Sequence, residues 1–202
     1  MGKITRDVRA LQDGLMLASE GAGPLLQRDY WAVIRGCRLT PHEVALYVRE
    51  HFPDFPPRKL VTFQRKDGSE GPLEVGDELE IKIRMAGRTA VRVLHVDANS
   101  ITLGTLKGHP EAGRITFGAY RNERGDVIFH IRSRARSSSS TRYAGFLATG
   151  EPMQTNTWTD FIDRLAHTVG DGVIGAIRVE TQVIEEENPG FVHGPTFIAT
   201  GD

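Results

Sequence analysis

His109 lies in the stretch TLGTLKGHPEAGRITFG, Thr102 to Gly118, where glycines and a proline surround a single imidazole. A histidine held in such a turn could move a proton near neutral pH or contact a ligand carboxylate. The competing reading is that its ring nitrogens satisfy backbone groups of the turn itself. No nucleophile or second base stands beside it at a recognisable spacing. A phosphate-cradling loop would need Gly-Lys-Ser/Thr between a strand and a helix, but Lys107 precedes Gly108 and His109, and an alternating segment comes next. The dinucleotide-binding spacing fails for the same reason, because "RITFGAY" alternates like a strand where a helix is required.

The other histidines, His42, His51, His95, His130, His167 and His193, show neither the paired helical spacing nor the cysteine partners of common zinc sites, so no metal or other cofactor is expected. Cys37 is the only cysteine. A lone thiol fits a reducing compartment, and the cytoplasm is the expected location. Ser137 to Ser140 lack the Gly-x-Ser-x-Gly elbow of a hydrolase nucleophile and read as a flexible loop. Arg132, Arg134, Arg136 and Arg142 could touch the phosphates of RNA. Alternation argues otherwise, setting Val127, Phe129, Ile131 and Ser133 inward and leaving His130, Arg132, Arg134 and Arg136 as a solvated ladder, with Glu78 and Glu80 as neighbouring acids. The chain has 25 Lys and Arg against 26 Asp and Glu, a net charge of -1, so no overall field gathers nucleic acid or an anionic membrane.

These residues need elements to hold them. Residues 1–24 form an N-terminal arm with Val8, Leu11 and Leu15 at helical spacing. "LLQRDYWAVIRG" from Leu25 reads as a strand with Tyr30, Ala32 and Ile34 on one face. Thr40, Pro41 and Glu43 spell a capping box that starts a helix with Val44, Val48 and Phe52 as its apolar stripe, stopped by "PDFPP". From Lys59 to Arg136 the period changes to two, most cleanly in Leu79, Ile81, Ile83 and Met85. The turns between these runs are short, which predicts an antiparallel meander of about six strands. A second helix covers "NTWTDFIDRLAHTV", where Trp158, Phe161, Ile162, Leu165 and Val169 recur at steps of three and four. "VIGAIRVETQVIEEE" and "PTFIAT" read as two further strands. At 202 residues, 39% of them hydrophobic, one well-filled core is expected. No apolar run reaches the length of a membrane helix.

The block Gly104, Thr105, Leu106, Gly108, His109, Pro110, Glu111 and Gly113, followed by Phe117, "GDVIFHIRSRAR" and "EPMQTNTWTDF", resembles a bacterial and plant group marked by a Gly-Thr-Leu-x-Gly-His-x-x-x-Gly motif. The resemblance spans Thr40 to Val169. Arg114 and Ile115 depart from the acidic residues the group carries after the last glycine. The resemblance implies an α+β fold, START-like, of the SRPBCC or helix-grip type. In it a curved antiparallel sheet of about six to seven strands would wrap a long C-terminal helix and could enclose a ligand cavity. Residues 25–170 would form this domain, with 171–202 as a strand extension packed on it.

The function expected on these grounds is binding of a small, largely apolar or amphipathic molecule in a cavity between sheet and helix. Trp158, Phe161 and Leu165 would form one wall, and Phe117 and Phe129 another. His109 or Tyr143 would make a polar contact at the mouth, and His95, which shares strand parity with Val91 and Val93, should point inward. Two alternatives stand beside it. One is an enzyme of the cyclase, hydratase or esterase sort using the same cavity. The other is a non-catalytic module that self-associates through its C-terminal strands as a homo-oligomer.

Overall fold

The computed structural model describes the backbone of residues 8–84 and 87–185, and the side chains of 10–84, 87–140 and 154–185. Three helices, α1 (Val8–Gln12), α2 (Pro41–His51) and α3 (Ser140–Val169), accompany strands β1 (Ala22–Ile34), β2 (Val61–Arg65), β3 (Glu78–Ile83), β4 (Gly87–Val96), β5 (Ser100–Thr105), β6 (Glu111–Arg121), β7 (Val127–Ser137) and β8 (Val173–Ile184). All strands pair antiparallel in one curved sheet, ordered β2-β3-β4-β5-β6-β7-β1-β8. The meander is thus continued by β1 beside β7 and closed by β8 beside β1. No described helix is long and apolar enough to cross a membrane.

The capping box is present. Glu43 N–H donates to Thr40 Oγ1, and Thr40 N–H donates to Glu43 Oε2 at 2.8 Å, satisfying two backbone donors that no helical carbonyl can reach. Past His51 the chain tightens into a 3-10 turn at Phe52–Asp54, because Pro53 has no N–H with which to continue the ladder. Phe52 and Phe55 are thereby aimed at the sheet, and both are buried.

The core lies between one face of the sheet and the helices. Arg28, Tyr30, Ala32 and Ile34 of β1 alternate onto this inner face with Phe117 of β6 and Phe129 and Ile131 of β7, all buried. From α3, Trp158, Phe161, Ile162, Leu165 and Val169 pack down on them. Phe161 sits at the centre, with ring centroids 5.3 Å from Phe117, 5.5 Å from Phe52 and 6.0 Å from Phe129, the last pair stacked. Edge and offset-stacked contacts of this kind exploit the ring quadrupoles and add to the area buried.

Several expectations are revised by the structure. The helix expected around "NTWTDFIDRLAHTV" begins at Ser140, and Ser137 is the last residue of β7, so the expected loop is reduced to a two-residue bend at Ser138 and Ser139 between strand and helix. Gly145, Gly150 and Pro152 are weak helix formers and masked this extension in the sequence. The expected strand at "VIGAIRVETQVIEEE" is β8, while "PTFIAT" lies outside the described residues. The N-terminal arm is tied to the outer face of the sheet. Leu15 bridges to Leu106, Leu15, Leu94 and Leu106 form a small apolar cluster, and the Arg92 guanidinium donates to the carbonyls of Ala10, Leu11 and Asp13, where a cation suits the negative end of a helix.

Two features set the faces of the sheet. In β4 the register slips between Val93 and His95, two residues facing one on β5. This β-bulge inserts Leu94 and reverses the parity of the residues after it. Leu94 lies over Gly104, where a Cβ would stand 2.5 Å from Leu94 Cδ1. In β6, Gly113 has φ +152° and passes so close to β7 that a Cβ would meet Arg134 O at 2.2 Å.

Candidate functional site

Along the inner face the side chains change from aromatic to polar. Arg28 and Ser133 are register partners on β1 and β7, and Ser133 in turn faces Ile115 of β6. Arg28 is 1% exposed and its Nη1 lies 3.2 Å from Glu111 Oε1. From α3, Gln154 Nε2 donates to Glu111 Oε2 at 2.8 Å, and Trp158 stands one turn further along the same helical face. Glu111 belongs to the glycine-rich block and opens β6. His109 Nδ1 lies 3.0 Å from both the N–H and the carbonyl oxygen of Glu111, accepting from the first when the ring proton is on Nε2 and donating to the second when it is on Nδ1. Burial pushes the Glu111 carboxyl above its ordinary pKa, and the charge of Arg28 with hydrogen bonds from Arg28 and Gln154 offsets only part of that rise.

Three further buried polar atoms at this end have no hydrogen-bond partner among the described residues: Ser133 Oγ, Gln154 Oε1 and Trp158 Nε1. Native interiors seldom leave such groups unsatisfied, since each costs about 1–3 kcal/mol. Ser133 follows Ile131 on the inner face of β7, and Phe117, the register partner of Ile131, lies 5.4 Å from Trp158 in an edge contact. The polar end and the aromatic core therefore meet at Trp158. No cluster of three or more His, Cys, Asp or Glu residues suited to a metal ion occurs among the described residues.

Among the expected site residues, Trp158, Phe161, Leu165, Phe117 and Phe129 are brought together on the inner face. Their rings are packed on one another and on Phe52 and Phe55, and the Trp158 end adjoins Gln154, one turn before it on α3. His109 is engaged by its own turn, its Nδ1 meeting the backbone of Glu111. His95 is not inward: the bulge at Leu94 sets it opposite Thr102 on the outer face, with Nε2 3.4 Å from Asp97 Oδ2. Tyr143 lies outside the residues whose side chains are described.

Sequence reasoning missed Arg28, Glu111 and Gln154, although each left a signal. Arg28 shares the parity of Tyr30, Ala32 and Ile34, a cation on an otherwise apolar strand face. Glu111 has the parity of Phe117, and Gln154 precedes Trp158 by one helical turn.

The outer face carries a second buried polar cluster, and here the expected solvated arginine ladder is corrected. His130 and Arg132 are 4% and 7% exposed. Asp29 Oδ1 lies 2.6 Å from both His130 Nε2 and Arg132 Nε, Gln27 Nε2 donates to Asp29 Oδ2, and Arg134 Nε donates to Gln27 Oε1. The expected acids are engaged elsewhere, Glu78 with Lys66 and Arg92 and Glu80 with Arg88. Period-two alternation gives the face of a residue, but the strand beside it depends on topology, and β1 lies next to β7.

Burial alone would raise the Asp29 carboxyl. Hydrogen bonds from His130 and Arg132, with their charges, outweigh burial and hold it below its ordinary 3.8. A depressed folded-state pKa contributes stability that is complete above the unfolded value and is lost as pH falls through the folded one. The stability difference between the parent and Asp29→Asn should therefore be flat above about pH 5 and shrink below the ordinary carboxylate range. Urea melts of both proteins across that interval measure it, and a difference that stays constant down to the acid end would remove the assignment. Glu111 has the opposite sign, its raised pKa adding stability as pH falls, so the Asp29 contribution must be read from the difference and not from the parent alone.

A family model described as "Domain of unknown function (DUF1990)" matches residues 54–164. The match runs from the turn before β2 into the last third of α3 and includes Glu111, Ser133, Gln154 and Trp158, while Arg28 precedes it. No curated protein matches the sequence. Solved structures of similar fold include the hypothetical protein jhp0584 from Helicobacter pylori, at 11% identity and TM-score 0.52, covering 84% of this chain and 98% of that one. Norcoclaurine synthase from Thalictrum flavum, in complex with dopamine and hydroxybenzaldehyde, is 10% identical with TM-score 0.51, covering 84% of this chain and 95% of that one. KanY protein (ms6282) is 11% identical with TM-score 0.51, covering 73% of this chain and 99% of that one. At these identities the likeness concerns the fold, which is START-like: a curved antiparallel sheet with a C-terminal helix gripped on its inner face.

Proposed function

The chain belongs to the family described as Domain of unknown function (DUF1990), and from that premise we propose that it binds a small amphipathic molecule between the inner face of its sheet and α3, at the end marked by Trp158. The observation that supports this most is the group of buried atoms Ser133 Oγ, Gln154 Oε1 and Trp158 Nε1, unpartnered among the described residues. Two of these can donate and one can only accept. A ligand group that both accepts and donates, such as a hydroxyl, would satisfy them. The charges nearby, Arg28 and Glu111, already pair with each other, so the head group this end favours is neutral. The apolar body would lie against Trp158 and Phe117, with Phe161, Phe129 and Leu165 as the packed floor. His109 would position Glu111 and not touch the ligand. Norcoclaurine synthase, a protein of the same fold, is solved with small aromatic molecules bound, which accords with this reading without carrying it.

A second reading, an enzyme of the cyclase, hydratase or esterase type, draws on the buried Glu111, whose raised pKa suits a general acid or base. Against it, both carboxylate oxygens of Glu111 are engaged, by Arg28 and Gln154. Binding without chemistry needs no such rearrangement and is the function the site supports best.

The test uses the two tryptophans. With Trp31 replaced by phenylalanine, Trp158 is the sole indole reporter. Titration with 1-octanol, 1-decanol and decanoate should change its emission for the alcohols, and decanol should bind more tightly by roughly fourfold per methylene, following about 0.8 kcal/mol for each buried CH2. Ser133→Ala should weaken decanol by roughly three- to tenfold, the net value of one hydrogen bond. Native mass spectrometry of freshly purified protein gives an independent reading, an adduct lost on denaturation. The proposal is overturned by unchanged Trp158 emission with all three probes together with a clean apo mass. Decanoate binding more tightly than decanol would overturn the neutral head group alone.

A further inference from the structure

β8 forms an edge of the sheet, and among the described residues its outer side pairs with no strand. Large apolar side chains exposed on the described surface include Val179 at 44% and Val183 at 70%, both on β8. Their partners on β1, Tyr30 and Leu26, place both on the face that carries α3. Exposed edges with apolar side chains are templates for strand addition, which natural proteins usually blunt.

We propose that β8 is the strand along which two copies of this chain associate, antiparallel, about a two-fold axis at Thr181. The register follows from four constraints. First, a two-fold normal to the sheet pairs residues on the same face, so the sum of opposing residue numbers is even. Second, the pairing needs a regular strand, and β8 is regular against β1 from Arg178 to Ile184, the ladder slipping between the Trp31 and Val33 pairs. Thr181 is the centre of that regular stretch. Third, a two-fold at Thr181 sets Val179 of each copy opposite Val183 of the other, so the exposed valines cover each other twice. Fourth, on the opposite face Glu180 then meets Gln182 and Arg178 meets Ile184, with no like charges in register.

The neighbouring choices fail on the same criteria. An axis at Glu180 sets two glutamates face to face, and one at Gln182 sets Val179 against Glu185. An axis at Val179 leaves only residues 178–180 opposed within the regular stretch. In the favoured register the two sheets become continuous with both α3 helices on one face. Thr181 is the β1-register partner of Arg28, so each candidate site lies one strand from the seam. The contact is a single strand from each copy and sits at the small end of protein interfaces, so the association is concentration-dependent.

The experiment exploits the register. In a Cys37→Ser background, Thr181→Cys places the same position of both copies across the axis, and mild oxidation should convert it to a covalent dimer on a non-reducing gel. Val179→Cys alone should not cross-link, because its counterpart is position 183, whereas an equimolar mixture of the Val179→Cys and Val183→Cys proteins should form the mixed dimer. Sedimentation of the parent should show the mass rising with concentration toward a dimer, and Val183→Lys, with unchanged circular dichroism, should stay monomeric over the same range. A parent that is monomeric throughout overturns the proposal. So does a Thr181→Cys protein that oxidises no faster than Arg124→Cys, on the loop between β6 and β7. A monomeric Thr181→Cys protein whose new thiol resists a maleimide would show the edge covered by the chain itself, with the same consequence for self-pairing.

Discussion

Arg28→Met is expected to lower the stability of the protein by about 3–5 kcal/mol, the range for breaking a buried ion pair from one side. Arg28 is almost wholly buried and its charge is met at 3.2 Å by Glu111. Removing the guanidinium leaves a carboxylate enclosed by sheet and helix, with Gln154 as its remaining side-chain donor among the described residues. Because burial already raises Glu111, loss of the arginine should push it further and make the variant's stability rise steeply as pH falls, the sign required when the folded state holds the proton more tightly. The double variant Arg28→Met/Glu111→Leu tests the cause. Two well-packed apolar side chains can replace a buried pair at little cost, so the double variant should recover most of the loss in urea denaturation. A double variant as unstable as the sum of the two single changes would mean that the pair contributes through shape and packing and not through charge.

Gly113→Ala is expected to destabilise by about 2–6 kcal/mol, combining overpacking with backbone strain. The added Cβ would fall 2.2 Å from Arg134 O and 2.7 Å from Ala135 Cα, backbone atoms of β7 that cannot step aside, and φ +152° is a conformation side chains resist. Gly108, earlier in the same block, is the control. A Cβ there meets nothing within 4 Å, and only φ +96° is strained, so Gly108→Ala should cost about 1–3 kcal/mol. Thermal and urea melts of the two variants separate the effects. Equal losses would show that close approach of β6 to β7 is not what demands Gly113. The position matters for the site because β6 starts at Glu111, and any displacement of the strand moves the carboxylate away from Arg28 and Gln154.

Much of the fold was legible because its elements announce themselves locally. The capping box at Thr40, the proline stop after Phe52, the alternation through Leu79 and Ile81 and the three-and-four spacing of Trp158, Phe161 and Leu165 all rest on contacts within a few residues of chain. The block around His109 pointed to the family and the START-like fold. It also contained Glu111, although the imidazole is the more conspicuous group there. Signals that break local rules were misleading. Gly145, Gly150 and Pro152 hid the first half of α3, and the extra residue at Leu94 turned His95 to the outer face when simple parity sent it inward.

The sequence by itself determined most of the strands and helices, which residues face together along each regular run, and that one core is built from sheet and C-terminal helix, since these follow from short-range sterics and the period of apolar burial. Only the tertiary structure decided that β1 enters between β7 and β8. That single placement brings Arg28 to Glu111 and Asp29 to His130 and Arg132, pairs separated by 83, 101 and 103 residues. Their attraction depends on distance in space and on burial together, and neither is encoded in the spacing of residues along the chain.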